Sequence, residues 1–157
     1  MSNIYIHAAI VTLGETSSLQ HMYFHEFFKL AGITRELWVK DCVSGGVEDF
    51  GARLALITRD ASCAFKKDLF LYDPVRVELQ FTAIQRTNTT LRFRFRHGKT
   101  NELHAEGYQT IVFADAQKKI TRIPENWKAA IYDYADFTET LRPPAHASKP
   151  DVRLSAE

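Results

Sequence analysis

From Met22 to about Lys40 the sequence predicts a helix that is apolar on almost every side, and this one element restricts how the rest of the chain can fold. At helical spacing Phe24, Phe28, Ala31, Arg35 and Trp38 form one stripe, with Tyr23, Phe27, Leu30, Thr34 and Leu37 beside it. Only Glu26, Lys29 and Lys40 clearly mark a wet side. So wide an apolar surface has to be enclosed on more than one side. Each fully buried Phe or Trp would contribute about 1.5–3 kcal/mol. Arg35 interrupts the stripe. A guanidinium buried without a partner is costly, so it must meet a carboxylate, carbonyls or a polar ligand. Glu36 points elsewhere on a helix, so the partner comes from another element or another subunit. On spacing alone, a structural ion pair and a substrate anchor stand level.

The enclosing surface follows in sequence. Residues Asn3 to Leu13 read as a first strand, Gly45 and Gly46 as a loop, and Arg53 to Phe65 as a second strand. In "DPVRVELQFTAIQ", Val75, Val77, Leu79 and Phe81 share one face while Arg76, Glu78 and Gln80 share the other. "TLRFRFRH" alternates again, with Leu91, Phe93 and Phe95 inward and Arg92, Arg94 and Arg96 outward. In "NELHAEGYQTIVF" the outward parity carries Glu102, His104 and Glu106. A turn over residues 97–101 would set Arg96 against Glu102, Arg94 against His104 and Arg92 against Glu106. Pro124 and Glu125 open a short helix with Trp127, Ile131 and Tyr134. Residues 1–137 form the expected domain, and residues 138–157, with three of the five prolines, read as a mobile tail. One strand, one long helix and a run of antiparallel strands make an α+β domain in which a concave sheet covers the helix. Unpaired sheet edges and the unusually apolar helix call for a homodimer or homotetramer.

The bulk numbers are those of a soluble domain. With 157 residues, 45 % hydrophobic and 25 % charged, the chain can bury one real core. A net charge of +1 gives no reason to expect nucleic acid or an anionic membrane as partner. The start "MSNIYIHAAIVTLGE" lacks a basic segment followed by an apolar one, so the cytoplasm is the expected location. Cys42 and Cys63 are too few for a disulfide framework or a zinc site, and they read as small buried or half-buried residues. His21 and His25 are one turn apart, but no third ligand with suitable spacing follows, so no metal and no cofactor are expected.

"ETSSLQHMYFHEFF", then Arg35-Glu36, the strand patterns and "RIPE" together resemble the hotdog-fold acyl thioesterases of the 4-hydroxybenzoyl-CoA type. The pattern is most similar to the branch found beside enediyne polyketide synthases, and it spans Tyr5 to Trp127. The resemblance implies an antiparallel sheet wrapped around one long helix. It also implies assembly into dimers or tetramers, and hydrolysis of acyl thioesters carried on coenzyme A or an acyl carrier protein. Ser17 stands where the wider family has an aspartate and the enediyne branch an asparagine. The family's glycine is replaced by Gln20, the branch's asparagine by His21 and its helix tyrosine by Phe27, while Arg35 and Glu36 are retained. In that branch the arginine helps to hold the oxygenated end of a β-keto or hydroxy acyl chain, which tips Arg35 toward substrate binding opposite Ser17.

Thioester hydrolysis needs a place for the oxyanion, an oriented water and a departing thiolate. The thiol is acidic, so no strong general acid is required. The amides of His21, Met22 and Tyr23, at the start of the expected helix, either form an oxyanion hole or are capped by Ser17 or Ser18. A serine hydroxyl is no general base at neutral pH. Ser17 therefore reads first as a group that positions water or a carbonyl, and as a nucleophile only if His21 or Glu15 activates it. His21 is the candidate base, and Glu26, flanked by Lys29, reads as part of a solvated patch. Phe24, Phe27, Phe28 and Phe65 are expected to line an acyl tunnel between subunits, and Met22 and Tyr23 to bind substrate with them. Lys66, Lys67, Lys118 and Lys119 lack sequence partners and are candidates for phosphate or carrier contacts. Two rivals remain on the same scaffold: a dehydratase or cyclase of a polyketide intermediate with His21 carrying the proton, and a non-catalytic acyl-binding module.

Overall fold

In the computed structural model residues 3–139 are described. The expected tail lies outside the described residues except where it begins, in a 3-10 turn at Phe137–Glu139. Strand β1 (Tyr5–Ile10) leads through a 3-10 turn at Leu13–Glu15 and a tight loop into α1 (Phe24–Cys42) and the one-turn α2 (Gly46–Asp49). Strands β2 (Ala55–Phe65), β3 (Pro74–Ile84), β4 (Asn88–His97) and β5 (Leu103–Ala114) follow, and α3 (Glu125–Asp133) closes the domain. The five strands form one antiparallel sheet in the order β1-β3-β4-β5-β2. Among the described residues, no helix is long and apolar enough to cross a membrane.

The sheet covers α1 with its apolar face, as the alternation requires. Val75, Val77, Leu79 and Phe81 of β3 and Leu91, Phe93 and Phe95 of β4 are all buried against the helix residues Phe27, Leu30, Ala31, Trp38 and Val39. Trp38 lies 4.7 Å from the Phe81 ring, and Phe27 meets Phe95 edge-on at 5.2 Å. Truncating any one of these aromatics to alanine would cost about 3–5 kcal/mol. The helix begins two residues later than expected, because the amides of Met22 and Tyr23 bond to the carbonyls of Leu69 and Glu15 and so leave the helical path. Enclosure within one copy is also incomplete. Phe24 remains 64 % exposed on the side of α1 that faces β2.

The hairpin register differs from the sequence expectation by two residues, although charge still faces charge. Arg94, not Arg92, stands opposite Glu106, with Nε 2.7 Å from Oε2. Arg96 lies opposite Leu103 and pairs instead with Glu78 of β3 at 2.6 Å. A bulge between Phe95 and Arg96 supplies one residue of the shift and a turn one residue longer than expected supplies the other, neither of which a strict two-residue alternation anticipates. Glu102 is thereby freed to pair with Lys67. Arg92, expected to face solvent, is only 2 % exposed. Residues 134–136 bond to Phe81 beyond the end of β1, and this brings Asp136 over the outer face to meet Arg92 Nη2 at 3.1 Å beside Gln80.

Candidate active site

The loop between β1 and α1 folds back on itself so that Thr16 and Met22 pair, and His21 pairs with Phe70. Ser17 sits in its tight turn: its amide donates to the His21 carbonyl at 2.9 Å, and Gln20 donates back to the Ser17 carbonyl at 2.8 Å. Closing this turn puts Gln20 at φ 61°, in the left-handed region. A glycine would adopt that conformation without strain, which accounts for the residue type the family places there. The Ser17 hydroxyl accepts a 3.2 Å bond from the Leu19 amide. Glu15, one of its two candidate activators, spends its carboxylate on the amide and hydroxyl of Thr12, 2.8 Å each. The other, the half-buried His21, has no side-chain hydrogen bond among the described residues. No activated serine is assembled.

The amide donors also fall elsewhere than expected. With those of Met22 and Tyr23 occupied, the uncommitted amides are those of Phe24 and His25, at the first two positions of α1. No side chain caps the helix. Two N–H groups at the positive end of a 19-residue helix therefore point outward together, the geometry that stabilises a developing oxyanion.

A small apolar pocket of about 10 Å³ lies between α1 and the sheet, lined by Phe27, Phe28, Ala31, Cys63, Phe95 and Gln109. Phe65 stands at its mouth, edge-on to both Phe24 at 6.4 Å and Phe27 at 5.1 Å. Met22 departs from its expected place. It is 4 % exposed and belongs to the core. Tyr23 is exposed and stacks on His25 at 5.3 Å. Cys63 is no nucleophile here, because burial pushes its thiol up to about 11.

Arg35 lies about 16 Å along the helix from Phe24 and touches the pocket through Gln109. Its Nη1 donates to Thr58 Oγ1 at 3.2 Å and to Gln109 Oε1 at 3.0 Å. Among the described residues no carboxylate pairs with it, and within one copy its partners are neutral. Desolvation lowers its pKa, with the neighbouring Glu36 charge working in the opposite direction. Gln109 was legible in retrospect. It is a lone amide between Gly107 and Ile111 on the inward parity of β5, where a polar side chain needs a partner.

A family model described as the thioesterase-like superfamily matches residues 11–131. The chain belongs to this superfamily. Solved structures share the hotdog fold. The dynemicin thioesterase superposes with a TM-score of 0.80 at 23 % identity, covering 85 % of this chain and 99 % of that one. The 1,4-dihydroxy-2-naphthoyl-CoA thioesterase from Synechocystis gives 0.76 at 20 % identity, covering 83 % and 97 %. A gentisyl-coenzyme A thioesterase gives 0.72 at 17 % identity, covering 80 % and 98 %. No curated protein matches.

Within this thioesterase-like chain the four candidate lysines do not converge. Lys66 and Lys67 follow β2 at the end where Phe65 meets α1, whereas Lys118 and Lys119 lie in the turn after β5, beside the start of β2. The strand between them is 11 residues long, about 35 Å. Lys67 is paired with Glu102, whereas Lys66 is exposed and has no ion-pair partner among the described residues.

Proposed function

We propose that this protein hydrolyses an acyl thioester, of an oxygenated polyketide type, carried on an acyl carrier protein or coenzyme A. The observation that carries this is a pair of uncapped amides at the start of α1, on the same helix as an apolar pocket whose lining residue Gln109 holds a desolvated arginine with no carboxylate partner among the described residues. The thioester carbonyl lies against the Phe24 and His25 amides, the acyl chain enters between α1 and the β2–β5 surface, and Ser17 positions water at the rim. Water adds to the carbonyl carbon and the oxyanion collapses to expel the thiolate. The dynemicin thioesterase is described as binding a polyene. An unsaturated chain of that kind suits the aromatic walls Phe27, Phe28 and Phe65 and the enediyne-branch pattern.

The active unit is a dimer joined along β2, whose outer edge is unpaired in one copy. Antiparallel pairing about Asp60 sets Thr58 opposite Ser62 of the partner subunit. Arg35, held beside Thr58, then borders the partner's cleft and meets chain oxygens near the partner's thioester. This removes the 16 Å separation that a single copy imposes on a β-oxygen. Incubation with acyl and β-ketoacyl pantetheine thioesters, following free thiol and the mass of the acyl product, tests the reading. Thiol release supports it. Dehydrated or cyclised product with thiol retained would replace it with the dehydratase or cyclase, and tight binding without either would leave an acyl-binding module.

A further inference from the structure

The water that attacks needs a base, and neither the Ser17 hydroxyl nor the Glu15 carboxylate is free to serve. The first turn of α1 holds a pair that is. Glu26, expected to be solvated, is in fact only 12 % exposed, and its Oε2 has no hydrogen-bond partner among the described residues. Its Oε1 lies 3.4 Å from His25 Nε2. The imidazole is 59 % exposed, stacked on Tyr23 with 23° between the rings and edge-on to Phe24. Aromatic contacts on two sides fix its plane while the remaining side stays open to solvent.

Resting on the thioesterase reading, we propose that His25 is the general base for water and that Glu26 is its positioning residue. Helical Cα–Cβ bonds lean toward the N-terminus, so the His25 ring reaches over the same helix end where its own amide and that of Phe24 point. With its proton on Nε2, the nitrogen that faces the Glu26 carboxylate at 3.4 Å, the neutral ring keeps the Nδ1 lone pair for the water. Nδ1 takes one water proton as the oxygen bonds to the carbonyl carbon and the carbonyl π pair moves onto the oxyanion. When the C–S bond breaks, the electron pair leaves on sulfur, and the imidazolium returns its proton to the thiolate. Acid and thiol are released, and His25 is neutral again. The groups around the pair are few. Lys29 Nζ lies 4.0 Å from Glu26 Oε2, Tyr23 stacks from the preceding loop, and the neighbour from β2, Phe65, is uncharged.

The test is the pH profile of kcat/KM for acetoacetyl pantetheine thioester with the parent, His25→Gln and Glu26→Gln, near-UV circular dichroism confirming the fold of each. The parent falls off on the acid side. His25→Gln loses about 100-fold near neutral pH with little change in KM, its acid limb disappears, and added imidazole restores part of the rate to His25→Gly. Glu26→Gln keeps the acid limb but loses kcat with little change in KM, and Glu26→Asp restores part of it, because the imidazole has lost the carboxylate that orients it. A His25→Gln profile matching that of an active parent overturns the base assignment and leaves the thioesterase standing. A parent that releases no thiol removes both.

Discussion

Arg35 Nη1 donates to Gln109 Oε1 across 3.0 Å, joining the long helix to β5 through a charged group and a neutral amide. A desolvated guanidinium held only by uncharged acceptors adds little to stability, and its charge is left for a ligand. Arg35→Met is therefore expected to unfold at the same temperature as the parent or higher, while kcat/KM toward a β-ketoacyl thioester falls about 100-fold. A saturated acyl thioester of equal length should lose far less. Calorimetry together with paired kinetics on the two substrates checks both halves.

Gln20 at φ 61° predicts a gain rather than a loss. Gln20→Gly relieves a left-handed side chain and is expected to stabilise by about 1 kcal/mol, raising Tm by about 2–4 °C. An unchanged or lowered midpoint in a thermal melt would contradict the strained-turn description.

The alternating patterns in β3 and β4 made the sheet and its inward face legible, because a period of two leaves one arrangement that buries every Val, Leu and Phe. Arg35 was legible for the complementary reason, as a charge in an apolar stripe. What escaped depended on single-residue events. The bulge at Phe95/Arg96 and a turn one residue longer than expected together moved the hairpin by two residues, and Asp136 turned a surface arginine into a buried one. The helix start was displaced because Met22 and Tyr23 amides found the Leu69 and Glu15 carbonyls, distant or irregular partners that no local pattern encodes. Glu26 was misjudged because Lys29 in sequence suggested water, whereas the fold covers the carboxylate.

Asp49 ties α2 to α3 and gives stability a defined pH dependence. Its carboxylate accepts from Arg53 Nε at 2.6 Å, Trp127 Nε1 at 2.8 Å and Asn126 Nδ2 at 3.1 Å. The Arg53 hydrogen bond is the leading cause that holds its pKa down from 3.8 to about 2, with Trp127 and Asn126 adding to it against the cost of burial. A depressed carboxylate contributes stability above its unfolded pKa and loses it as pH falls through the folded one. Urea unfolding followed by Trp fluorescence should show Asp49→Asn less stable by about 2 kcal/mol at pH 7. The gap should narrow steadily from about pH 5 to about pH 2.

The β2 edge is open to a second copy, and Ala61 near its centre is exposed. Pairing about Asp60 sets position 61 opposite Arg59 of the partner subunit, and a lysine there would face a second cation. Ala61→Lys is expected to shift the protein toward monomer in sedimentation velocity and, because Arg35 then borders no partner cleft, to lower β-ketoacyl turnover. A variant that stays dimeric with full turnover would place the interface elsewhere.

The claim that matters most is that water cleaves a thioester at the start of α1. Turnover of 3-hydroxybutyryl pantetheine thioester, whose hydroxyl oxygen does not exchange with solvent, in water enriched in oxygen-18 measures it directly. The account predicts thiol release matched one for one by an acid carrying a single heavy oxygen. Intact thioester after prolonged incubation, or thiol released without the label entering the acid, would contradict it.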